Sequence, residues 1–129
     1  MPTARPRSSW PAPALVPDDA RQGLGARLRR QAEWCSESQE PLYAGLLARA
    51  AEDVEAGGPS WRLLKPHATE PGTAAVALRF LAGVHRMVLD GRLPELAGAY
   101  AELDPVAAWP LSRAALVEHQ LELQELVAR

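Results

Sequence analysis

Apolar residues recur every three to four positions along most of this chain, and no stretch alternates at the period of two that a half-buried strand requires. The pattern begins at Asp18. Leu24, Leu28, Gln31 or Ala32, and Cys35 follow one another at helical spacing, with Arg21, Arg27, Arg29 and Arg30 on the remaining faces. Asp18 and Asp19 stand where acceptors can cap a first helix and complement its dipole. Gly23 and Gly25 each weaken a helix by about 1 kcal/mol, so this helix is expected to firm up only near Ala26.

A second helix is the clearest in the chain. Pro41 suits a first helical position, and Leu42, Tyr43, Leu46, Leu47, Ala50 and Val54 fall on one broad face. Arg49 and Asp53 lie four apart beside that face, a spacing that predicts a local ion pair. Gly57-Gly58 reads as a left-handed cap. Pro59 opens a short helix bearing Trp61, Leu63 and Leu64, which Pro66 closes. Residues 66–72 form a loop by composition.

The fourth helix is expected from about Thr73 to Asp90. Val76, Leu78, Phe80, Leu81, Val84, Met87, Val88 and Leu89 make it apolar on most sides. Only Arg79, Gly83, Arg86 and Asp90 form a thin polar stripe, which suits a helix at the centre of a bundle. Gly91 stops it, and Pro94 starts a short helix through about Tyr100. Asp104-Pro105 reads as a cap followed by a first-turn proline. The last helix is expected from about Pro110 to the C-terminus, with one seam of Ala114, Val117 and Leu121 and another of Leu116, Leu123 and Val127. The fold class is therefore all-α: a single orthogonal, irregular bundle of about five or six helices over residues 18–129. The five prolines between Pro2 and Pro17 exclude a helix there, and residues 1–17 read as a disordered Pro-rich tail.

Composition changes this picture little. Apolar residues make up 47% and charged residues 23%, a globular balance. A net charge of -2 gives no global field toward nucleic acid or an anionic membrane, and neither is expected as a partner. Basic residues are thirteen Arg against one Lys, the bias of GC-rich codons. Cys35 is the lone cysteine, which points to a reducing, cytoplasmic compartment. Apolar runs reach only about five residues, short of the roughly 20 that span a bilayer.

Candidate chemistry is sparse. His67 lies in a loop without a carboxylate or Cys at ligand spacing. His119 is followed by Glu122, whereas di-iron bundles place Glu three residues before the His, so it reads as part of a solvated face. His85 sits on the apolar side of the fourth helix. It is either a hydrogen-bonded core staple or a general base or ligand. Cys35 reads as a small core residue. No phosphate loop, nucleophile elbow or paired-carboxylate signature occurs. No catalytic residue, cofactor or metal is therefore expected.

The stretches Gln31-Ala32-Glu33-Trp34-Cys35, Pro41-Leu42-Tyr43-Ala44 and Ala50 to Pro59, continued by Ala77 to Phe80, Val84 to Leu89 with Gly91, and Pro94 to Ala97, resemble the N-terminal part of the actinobacterial family called domain of unknown function 2332. The resemblance covers roughly residues 27–128. It departs from the family at Tyr100 to Asp104, where the family tends to carry Tyr-Pro and Gly-Gly. As the family pattern goes, members are longer, with a Gly-x-Ser-x-Gly-Leu-Asn loop in an α/β part similar to class I methyltransferases. The resemblance implies a non-catalytic helical module, truncated or split from such a protein, that caps or docks on the α/β half through its last helix. The alternative it implies is the substrate-binding part of a methyltransferase-like enzyme, with Arg79, His85 and Arg86 as interaction candidates. A self-contained homo-oligomeric bundle is a third reading.

Overall fold

The computed structural model describes residues 18–71 and 75–128, and among them lie seven α-helices and no strand. The proline-rich segment 1–17 and the expected start of the fourth helix at Thr73 fall outside the described residues. The all-α expectation holds, with one or two more helices than anticipated.

Helix α1 runs over Asp18–Glu37 and α2 over Pro41–Glu55. They form an antiparallel hairpin, joined by a tight turn in which Gln39 takes a positive φ of 62°. On α1, Leu24, Leu28, Ala32 and Cys35 are buried at the anticipated spacing. The helix does not wait for Ala26, however, and runs through both Gly23 and Gly25. Packing explains the second glycine: a Cβ on Gly25 would stand 2.5 Å from an oxygen of Glu55, so its absence lets the two helices close. Tertiary contact outweighs the propensity penalty.

Helix α2 buries Leu42, Leu46, Leu47, Ala50, Ala51 and Val54. Gly57, at φ 76°, turns the chain out of it, and the Gly58 N–H returns to the Asp53 carbonyl at 2.8 Å. Helix α3 follows at Pro59–Leu64 and tightens into a 3₁₀ turn over Lys65–His67. Asp53 does not make the local pair expected with Arg49. Its carboxylate is buried and accepts the Ser60 N–H at 2.8 Å and Arg113 Nε at 3.2 Å. The α2–α3 corner places the N-terminus of α3 beside this carboxylate, a partner that helical spacing could not reveal.

Helix α4 spans Val76–Leu89 and ends before Gly91, at φ 74°. It packs chiefly on α7, with contacts to α1 and α5, and buries Phe80, Leu81, Val84 and Met87. Gly83, read as part of a polar stripe, is buried against Leu123, Leu126 and Val127. Leu78 and Leu89 are 47% and 69% exposed, so α4 forms a wall of the bundle and is not enclosed on all sides.

Helix α5 covers Pro94–Ala101. Asp104 caps α6, at Pro105–Glu118, by accepting the Val106 and Ala107 N–H groups at 3.0 and 3.3 Å. The expected single last helix is two helices. Pro110 lies inside α6 rather than opening a helix, and the chain breaks at His119, φ −120° and ψ 31°, before α7 resumes at Gln120–Ala128. The break redirects the chain so that Leu123 and Val127 enter the core that α4 lines. No helix among the described residues is long and apolar enough to cross a membrane.

Candidate functional site

The end of α1, the turn after it, the start of α2 and the middle of α4 surround an open cleft of about 270 Å³. Each contributes for a local reason. Cys35 ends the buried stripe of α1 and its neighbour Trp34 is turned outward, 64% exposed. Glu40 precedes Pro41, which cannot donate a backbone hydrogen bond, and stands at the α2 N-terminus. Tyr43 lies on the flank of the buried face of α2. Leu78, Leu81 and His85 recur on α4 at intervals of three and four and share one side of that helix.

His85 packs with two phenol rings in a three-ring cluster. It stacks on Tyr100 with centroids 5.9 Å apart and planes 19° from parallel, and meets Tyr43 edge-on at 6.5 Å. The two tyrosines meet each other at 6.3 Å. His85 Nδ1 and the Tyr100 hydroxyl are both buried without a hydrogen-bond partner. A histidine acting as a core staple would have that nitrogen satisfied, as buried polar atoms usually are. The expected staple bond is therefore missing, and nothing internal fixes the tautomer of the ring.

The one thiol that lines the cleft is not activated. Burial pushes the Cys35 thiol up, partly offset by Gln31, and Glu40 raises it further. A thiol so held is a poor nucleophile at neutral pH. Burial likewise raises both tyrosines, helped at Tyr43 by Glu40 and at Tyr100 by Tyr43. Among the described residues no group of three His, Cys, Asp or Glu side chains could hold a metal ion.

The three candidates on α4 do not converge. Arg79 turns away from His85 into a separate polar cluster. Its Nη1 donates to Glu70 at 2.7 Å and its Nε to the Val127 carbonyl at 2.8 Å. His67 Nδ1 meets the other Glu70 oxygen at 2.5 Å, and at that distance it is the donor, with Arg79 Nη2 a close contact 3.3 Å away. Arg79 and His67 together hold the Glu70 carboxyl below the usual carboxylate range. Arg27 adds a bond to the Glu70 carbonyl at 2.9 Å. This cluster ties α1, the segment before α4 and the end of α7 together, and much of its donor capacity is spent on carbonyls that lack helical partners. Arg86 lies on the surface, 3.3 Å from Asp90 one turn on. His85 alone lines the cleft.

Sequence reasoning passed over Tyr43, Tyr100, Trp34 and Glu40 as site residues, and did not bring Glu70 to His67. The one available signal was Trp34, a large apolar residue off the buried stripe of α1. His119, read as part of a solvated face, is partly buried and stands 3.4 Å from Glu122, which Arg92 in the turn after α4 also clamps.

A second concavity of about 280 Å³ lies between the start of α5 and α6, lined by Leu93, Leu111, Ala114 and His119 among others. Beside it Val117 and Leu121 are 57% and 78% exposed, while Leu116, Leu123 and Val127 are buried. The two seams read in the last helix thus separate, one inward and one outward. No curated protein and no solved structure matches this chain. Residues 25–129 match the model of a family described as an uncharacterized protein conserved in bacteria (DUF2332), and the chain belongs to that family.

Proposed function

We propose that this chain is a non-catalytic helical module whose work is to dock on an α/β partner, the arrangement implied by its resemblance to the N-terminal part of longer, actinobacterial proteins. One observation carries the reading. Val117 near the end of α6 and Leu121 at the start of α7, on either side of the break at His119, remain in water at 57% and 78% exposed, with the exposed Ala114 one turn before Val117. Large apolar side chains left in water favour burial against a second surface. The lone, unpaired Cys35 fits a reducing, cytoplasmic setting for this encounter.

The test begins with the DNA after the codon for Arg129, read for a segment encoding the α/β part. That segment, co-expressed with this chain, is expected to co-purify with it, and Val117→Glu or Leu121→Glu to abolish the association while leaving the helical signal unchanged. Absence of such a segment, or association indifferent to both substitutions, overturns the proposal.

A second reading, the substrate-binding part of a methyltransferase-like enzyme, is favoured by the place of His85 on the wall of a cleft. In it His85 contacts substrate, and Arg79 and Arg86, the other two candidates on α4, face elsewhere. Calorimetry of S-adenosylmethionine binding to the joined α/β form discriminates: binding supports this reading and its absence removes it.

A further inference from the structure

We propose that the cleft between α1, α2 and α4 binds a small organic cation, an ammonium group carried on an apolar aryl or alkyl body. The docking face on α6 and α7 is a different surface, and the two proposals stand or fall separately.

Size comes first. A volume of about 270 Å³ holds roughly nine water molecules at ~30 Å³ each, room for a small organic molecule but not for a folded partner. Shape and surface come next. Trp34 and Leu78, 64% and 47% exposed, stand at the rim, and Leu81 and Tyr43 line the cleft with them. An exposed indole beside an exposed leucine offers an apolar body a place to leave water, and its π-face attracts a cation.

Charge decides the sign. Glu40 is the one formally charged side chain among the described residues that line this cleft, which contains no Arg or Lys. Its field reaches the walls, since it raises both the Cys35 thiol and the Tyr43 phenol. A carboxylate that disfavours new negative charge on two neighbouring walls disfavours an anionic ligand equally and favours a cation. The imidazole of His85 adds a further aromatic ring to the wall of the same cleft. Aromatic rings and a carboxylate together are the chemistry that recognises ammonium groups.

Three probes of similar body and different charge test this: 2-phenylethylammonium, 2-phenylethanol and 3-phenylpropanoate, titrated at neutral pH into the isotopically labelled chain. The readout is the indole N–H resonance of Trp34, assigned by its loss in Trp34→Ala. The ammonium is expected to bind about fivefold more tightly than the alcohol, the ratio set by unit charges ~4 Å apart at a water-like dielectric, and the carboxylate more weakly than either. In Glu40→Gln the ammonium falls to the affinity of the alcohol, while Glu37→Gln, a nearby exposed carboxylate outside the cleft, changes nothing. The proposal is overturned if the carboxylate or alcohol binds as well as the ammonium, if Glu40→Gln keeps the preference, or if no probe saturates below about 20 mM.

Discussion

The buried carboxylate of Asp53 makes a stability prediction that can be worked through. It accepts the Ser60 N–H in the first turn of α3 and Arg113 Nε from α6, and it is only 8% exposed. Asp53→Ala strands the Ser60 N–H in the interior, a loss of about 1.5–3 kcal/mol for a hydrogen bond to a charged acceptor. The Arg113 contact adds at most about 1 kcal/mol, because that guanidinium is 49% exposed and screened by water. The combined cost of about 1.5–4 kcal/mol corresponds to a fall of roughly 6–15 °C in Tm for a chain of this length. Gly58 supplies the cross-check. A Cβ there would lie 2.0 Å from Asp53 Oδ1, although its own φ of −80° and ψ of −165° suit any residue. Gly58→Ala must therefore push the carboxylate off Ser60 and is expected to cost a similar ~2 kcal/mol or more. With Asp53 already Ala, the added methyl has room, and the second substitution is expected to cost under about 1 kcal/mol. Urea and thermal melts of the four proteins by circular dichroism measure the cycle. Single effects that add to within about 0.5 kcal/mol, or an Asp53→Ala protein melting within about 3 °C of the parent, refute the reasoning.

Further outcomes follow from the same geometry. Gly45→Ala drives a Cβ to 2.3 Å from Pro105 and is expected to lose about 1–3 kcal/mol by prising α2 from α6, whereas Gly98→Ala, with open space around it on α5, is expected to gain about 0.5–1 kcal/mol, both read from urea midpoints. Leu103 holds a positive φ of 55° while 59% exposed, so Leu103→Gly relieves strain at little loss of burial and is expected to be neutral to stabilising by about 1 kcal/mol in the same assay. Glu122 is held down to about 2, first by Arg92 and then by His119, from an ordinary value of 4.5. Its contribution is present above that ordinary value and is lost as pH falls through about 2, and a carboxyl NMR titration is expected to show that low midpoint and its return toward 4.5 in Arg92→Met. Cys35, 6% exposed with its thiol raised by burial, is expected to react with a disulfide reagent far more slowly in native buffer than in urea.

Local signals in the chain determined the helices. Pro41, Pro59 and Pro94 mark the starts of three of them, and Gly57 and Gly91 mark two ends, because a fixed φ and a positive φ are properties of single residues. The buried stripes of α1 and α2 were legible because a helix repeats every 3.6 residues whatever surrounds it. Tertiary structure alone decided the rest. The break at His119 carries no proline or glycine, and it becomes visible only where Leu123 and Val127 must meet α4. Asp53 leaves the neighbour four residues away for a backbone N–H and an arginine 60 residues on, since a buried carboxylate goes where desolvated donors are. His85 was readable as a polar group on an apolar face. That it packs against both Tyr43 and Tyr100, with one buried nitrogen unsatisfied and Glu40 on the wall of the same cleft, depends on how four helices close on one another. Periodicity along the chain carries no information about those distances.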